Sequence, residues 1–99
     1  MSLPVILSPG AEADLAAVRQ WYERLREGLG DKFLDCADGE FERISGMPEM
    51  YGVVYRGVRR CMLHRFPYVV YYRVRAERID VLGVFHARQH PRSWRSRVQ

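Results

Sequence analysis

A chain of 99 residues, 47% of them apolar, can bury one core without metal or disulfide staples. Its formal charge of +4 hides an asymmetry: residues 1–50 carry five basic against ten acidic side chains (−5), and residues 51–99 carry eleven arginines against Glu77 and Asp80 (+9). Fifteen of the sixteen basic residues are arginine, which grips phosphate or carboxylate bidentately and stacks on flat groups, so a phosphate-bearing or acidic partner is favoured over a neutral small molecule.

The amino terminus, MSLPVILSPG, lacks the basic stretch and long apolar run of a signal peptide, and no run reaches membrane-spanning length. The expectation is a single domain over residues 1–99, soluble and cytoplasmic, with no membrane partner. Leu3 to Leu7 reads as a first strand. Ser8 then offers an N-cap oxygen and Pro9 suits the first helical position. Ala11, Leu15, Val18, Tyr22, Leu25 and Leu29 recur at spacings of three and four and predict a helix of about five turns. Gly28 and Gly30 close it. Asp31 is the expected N-cap of a second helix carrying Phe33, Leu34, Ala37, Phe41 and Ile44, with Gly39 tolerated at a close helix crossing and Gly46 with Pro48 ending it.

From Val53 the composition turns β-branched and aromatic. Val53–Tyr55 reads as a short strand, Gly57 as a turn or bulge, and Val58–Arg65 as the next strand. The chain turns near Phe66 and Pro67 into Tyr68–Val74, and a further strand spans Ile79–Phe85, apolar on both faces as an interior strand is. By strict alternation Ile79, Val81, Gly83 and Phe85 share one face, and Asp80, Leu82, Val84 and His86 the other. The tail after Phe85 reads as a short extension, helical or ordered only on binding. The fold class is α+β: an N-terminal strand and a two-helix antiparallel hairpin packed on a twisted antiparallel sheet of about four strands. Cys36 and Cys61 lack metal-ligand spacing and read as buried small apolar residues.

No signature of a metal site, phosphate loop, dinucleotide fold or catalytic triad is present, so no metal and no cofactor is expected. What remains is Arg56, Arg59, Arg60, Arg65, Arg73 and Arg88 with His64 and His86. Cleavage of RNA through its own 2′-hydroxyl needs a base, cations for the crowded phosphate and an acid for the leaving oxygen. His86 has the chemistry for acid or base, with Arg65 and Arg88 on the phosphate, if all three face one cleft. The plainer reading makes the histidine a structural hydrogen-bonding group, Tyr68, Tyr71 and Tyr72 packing residues, and Trp94 a cap on the core edge.

The arginine pair Arg59–Arg60, then RFPY with its aromatics (Arg65, Phe66, Pro67, Tyr68, Tyr71, Tyr72), then Val84, His86 and Arg88 followed by Pro91 and Trp94, resembles toxins of the RelE/ParE superfamily of bacterial type II toxin–antitoxin systems. The resemblance spans essentially the whole chain and leans toward the ParE-like, or plasmid-stabilisation, branch. It implies a helical hairpin on a twisted sheet and a cognate antitoxin whose largely disordered carboxyl-terminal segment wraps round the toxin. RelE-like members cut messenger RNA in the ribosomal A site with basic residues and a late tyrosine or histidine; ParE-like members poison DNA gyrase. Lys32 is the only lysine here and no tyrosine follows Tyr72, a departure from the RelE pattern. The expectation is therefore growth inhibition through gyrase without a catalytic site, with Arg56, Arg59, Arg60, Arg73, Arg92 and Trp94 as target- or antitoxin-binding residues. The alternatives are a ribosome-dependent messenger RNA endonuclease using His86, Arg65 and Arg88, and a remnant that only binds antitoxin. Homodimerisation of the free toxin is left open.

Overall fold

Ser8 sets the start of the first helix. In the computed structural model, which describes residues 2–98, Ser8 Oγ accepts from Ala11 N at 3.0 Å and donates to Leu82 O at 3.2 Å, so one hydroxyl caps α1 (Pro9–Leu25) and ties it to a distant strand. α1 buries Ala11, Leu15, Val18 and Tyr22, while Leu25 lies exposed beyond the stripe. The reversal into α2 (Leu29–Gly46) runs through Gly28, whose φ of +85° favours glycine. Gly28, and not Asp31, is the N-cap of α2. It has no side chain to cap with, and Glu23 substitutes from α1: its carboxylate accepts from Gly28 N at 2.8 Å and Gly30 N at 3.0 Å. Asp31 instead pairs across the hairpin with Arg19 at 2.8 Å. The close helix approach falls at Gly30, where an added Cβ would lie 2.6 Å from Arg19 O, and the space round Gly39 is open.

The remaining elements are β1 (Val5–Leu7), β2 (Val53–Tyr55), β3 (Val58–Met62), β4 (Tyr68–Val74), β5 (Ile79–His86) and α3 (Pro91–Arg95). β2 to β5 form the expected antiparallel meander, and β1 lies parallel beside β5, giving a five-stranded mixed sheet in the order β1-β5-β4-β3-β2. Arg56 (φ +45°) and Gly57 (φ +78°) connect the paired Tyr55 and Val58, the two positive values of a type I′ hairpin turn. β3 stops at Met62, and the loop to β4 holds Arg65 at φ +69°. In β5 the register steps from Tyr72↔Val81 to Tyr71↔Gly83, so Leu82 is the extra residue of a bulge. Strict alternation therefore fails there: Ile79, Val81 and Val84 join one core, and Leu82 and Phe85 the other.

The sheet is buried on both faces. Leu15, Val18, Phe33, Ala37 and Ile44 of the hairpin pack on Cys61, Val70, Tyr72, Ile79, Val81 and Val84. On the opposite face Val58, Val69, Tyr71 and Phe85 are covered by Trp94 and Val98. The tail is thus a short helix, started by the His90 ring accepting from Arg92 N at 3.1 Å with Pro91 in the first turn. Arg97 anchors it, forking onto both Asp14 carboxylate oxygens at 2.6 and 2.9 Å while donating to Leu82 O at 3.2 Å. Asp14 also accepts from Val84 N at 2.9 Å. One partly buried pair thereby joins α1, β5 and the tail.

A second polar group lies inside the first core. Glu40, 2% exposed, accepts on Oε2 from the Cys61 thiol at 2.6 Å and the Tyr51 hydroxyl at 3.1 Å. Its Oε1 has no hydrogen bond of good geometry, but the Arg43 guanidinium supplies charge 2.9 Å away. Burial, and then the bond to Glu40, push the Cys61 thiol from 9.0 up to about 12.

Two predictions follow from these buried polar contacts. An unfolded chain releases the Cys61 proton at lower pH than the folded one, so between about 9 and 12 the unfolded state binds fewer protons and stability falls as pH rises. The slope is at most about 1.4 kcal/mol per pH unit and should shrink in Cys61→Ala, as read by urea titrations at pH 8 to 10. Arg97→Ala, which strands Asp14, should cost roughly 2 kcal/mol, and adding Asp14→Ala should cost less than the sum of the single changes.

Candidate functional site

Strand parity and loop position decide what each expected residue can reach. Tyr72 packs in the hairpin-side core and pairs with Arg59, whose side chain folds back to donate to Tyr51 O at 2.5 Å, with Glu49 3.7 Å away. Arg59 is a staple for the segment entering β2 and only partly available to a partner. Arg73 lies on the opposite face and donates to Arg56 O at 3.0 Å, closing the type I′ turn. Arg56 and Arg95 both approach the Tyr55 ring, at 5.1 and 4.7 Å from its centroid. Arg60 is exposed on the tail side of the sheet, paired with Tyr71, and Arg92 is exposed on α3. Trp94 is 7% exposed and stacks on Tyr71 with centroids 4.4 Å apart and planes 15° from parallel. It is a core residue, not a free contact for a partner.

The three residues considered for RNA cleavage divide into two places. His86 ends β5 opposite Tyr68, its ring edge-on to the tyrosine at 5.2 Å, and its Nδ1 accepts from Arg88 N at 3.0 Å. Arg88 therefore meets His86 through the backbone, and its guanidinium is exposed on the turn after β5. Arg65 stands in the β3–β4 loop and lines a hollow of about 580 Å³ between that loop and the hairpin turn. Neither His86 nor Arg88 lines this hollow.

That hollow draws its lining from the hairpin turn, α2 and the β3–β4 loop. Arg26 and Lys32 reach it from the turn and first turn of α2, and His64 and Arg65 from the loop. Leu29 and the buried Phe66 supply its apolar part, and Phe66 is held by rings of Tyr22 and Phe33 at 5.0 and 5.4 Å. Cys36 donates its thiol to His64 O at 2.9 Å, fixing the loop to α2, and burial pushes that thiol up. His64 Nε2 in turn lies 3.4 Å from Arg43. Lys32 belongs to a helix, and the packing of the hairpin turn beside the β3–β4 loop places it round one hollow with Arg65. No three metal-ligating side chains converge among the described residues, and no helix there is long and apolar enough to cross a membrane.

A two-helix hairpin on a five-stranded mixed sheet is the α+β arrangement that the sequence resemblance implies. Residues 5–91 match the family described as ParE toxin of type II toxin-antitoxin system, parDE, and the chain belongs to that family. Among solved structures it is similar to one titled chromosomal ParDE TA system from P. aeruginosa, at a TM-score of 0.77 and 20% identity, covering 86% of this chain and 96% of the other. No curated protein matches the chain.

The placement of Trp94 is open to a direct check. Trp94→Ala should lower unfolding stability by about 3 kcal/mol, in the range for an emptied aromatic core site, whereas Arg92→Ala should leave it within about 0.5 kcal/mol; thermal or urea unfolding distinguishes them.

Proposed function

We propose that this ParE-family toxin arrests growth by acting on DNA gyrase, that it has no nuclease site of its own, and that a cognate antitoxin neutralises it. The observation that carries the reading is the hydrogen bonding of His86. Its Nδ1 accepts from Arg88 N at 3.0 Å, which ties the ring to the turn after β5. To act as a base through Nδ1 the ring would have to give up this bond. Arg65, the other cation a nuclease would need, stands in the β3–β4 loop and lines a hollow that neither His86 nor Arg88 lines. Metal-free RNA cleavage requires these groups within hydrogen-bonding reach of one phosphate. The absence of a tyrosine after Tyr72 points the same way, as does the family match over residues 5–91. An arginine-rich second half, +9 over residues 51–99, suits both an acidic antitoxin segment and a protein–DNA target.

The test pairs two assays on the purified chain. With gyrase, ATP and relaxed plasmid, the chain should abolish supercoiling and accumulate cleaved DNA. In a cell-free translation reaction, primer extension should find messenger RNA ends unchanged. New codon-phased ends that vanish in His86→Ala would overturn the reading in favour of an endonuclease, and full growth on expression with antitoxin binding intact would overturn it in favour of a remnant.

A further inference from the structure

The arginines of this fold divide by what they hold. Arg19, Arg43, Arg59, Arg75, Arg78 and Arg97 each have an acidic partner within the chain. Arg26, Lys32 and Arg65 have no side-chain hydrogen bond or ion pair among the described residues, yet the fold brings all three round one hollow of about 580 Å³. The hollow is also lined by Leu29, Phe66 and one acid, Asp35. Holding like charges round one concavity is unfavourable unless something negative enters it. The loop is held in place by the Cys36 thiol on His64 O at 2.9 Å, and Arg65 sits at φ +69°, a conformation costly for a residue with a Cβ.

The chemistry of the lining selects the class of guest. Three cations against Asp35 leave a net +2 with an apolar patch between them, which suits one or two carboxylates flanking an apolar side chain. A nucleic-acid backbone would leave Leu29 and Phe66 without an apolar partner, whereas a peptide segment brings an apolar side chain along with its carboxylates. The volume falls within the range of about 300–1,000 Å³ that takes a small guest or a few side chains. Just before Arg26 in the chain, Trp21 and Leu25 are 52% and 60% exposed on the last turns of α1.

We propose that the hollow between the hairpin turn and the β3–β4 loop is an anchoring site for an acidic segment of the antitoxin. One carboxylate is gripped by Arg65 and Lys32, a second by Arg26, and an apolar side chain between them lies against Leu29 and Phe66. The inference rests on the toxin–antitoxin reading and adds to it a place and a recognition chemistry.

The experiment measures binding of the antitoxin encoded beside this chain to the full-length wild type, Arg65→Glu, Lys32→Glu and the double variant, each checked for unchanged melting. Each reversal should weaken binding by about tenfold or more, chiefly through faster dissociation, and should flatten its dependence on salt. An acid-to-arginine change in the antitoxin segment should restore binding to Arg65→Glu. Folded reversal variants that bind as tightly as wild type, with the same salt dependence, would overturn the anchoring site and leave the toxin–antitoxin reading standing. A wild-type chain that binds no antitoxin at all would overturn both.

Discussion

A sheet whose central strands are apolar on both faces has to be covered twice, and the rest of this molecule follows from that requirement. β4 sends Val70 and Tyr72 to one side and Val69 and Tyr71 to the other. A helical hairpin covers the first side. α3 covers the other, with Trp94 lying flat on Tyr71 and Val98 beside it. A single short turn of helix gains little from its own hydrogen bonds; its place depends on burial of that indole and on the fork of Arg97 onto Asp14. The same fork solves an edge problem. β1 ends at Leu7, leaving the outer side of β5 unpaired from Leu82 onward, and there Asp14 takes Val84 N while Ser8 and Arg97 reach Leu82 O. An edge that could recruit a foreign strand is closed by side chains.

Much of this was legible in the residues themselves. Ser8 with Pro9, the three-and-four spacing of both helices and the β-branched runs identified the elements, because each signal is local. The discrepancies share a physical origin: the deciding partner is distant in sequence. Asp31 has the chemistry of an N-cap, but Glu23 from the preceding helix reaches the free amides first. Gly39 and Gly30 look alike in sequence, and only the helix crossing shows that Gly30 is the one without room for a Cβ. The bulge at Leu82 lies beside the Ser8 and Arg97 contacts, neither of which belongs to a local pattern. The amino-terminal strand forms over Val5–Leu7, within the expected Leu3 to Leu7, but its parallel pairing with β5 is a property of the connection and not of those residues.

The candidate site was less legible, for a related reason. Histidine and arginine in one β-rich stretch suggested a cleft, but whether side chains share a cleft depends on register and on which loop they leave from. His86 and Tyr68 share a face because their strands pair there, and Arg65 leaves the sheet altogether in a left-handed loop residue. The hollow that does form draws on a helix turn and a loop separated by more than thirty positions in the sequence, with Lys32 supplied by the half of the chain that is acidic on balance.

The arginine content itself then needs a divided explanation. Arg59, Arg73 and Arg97 all donate to backbone carbonyls, of Tyr51, Arg56 and Leu82. Each of those carbonyls lies at an irregular point: the lead-in to β2, a type I′ turn and a bulge. Irregular backbone leaves acceptors that no ladder satisfies, and a planar fork with five donors can serve one of them while also meeting a carboxylate or a ring. Lysine, a point charge on a flexible stem, fits that dual role poorly. Part of the positive charge of the second half is therefore the means by which an irregular sheet satisfies its backbone, and the charge left for partners is smaller than the sum implies. Cations without an internal acid are spread over several surfaces, Arg60, Arg88 and Arg92 among them, but only Arg26, Lys32 and Arg65 are gathered round one hollow, and that shared placement is more informative about binding than the arginine count of the sheet.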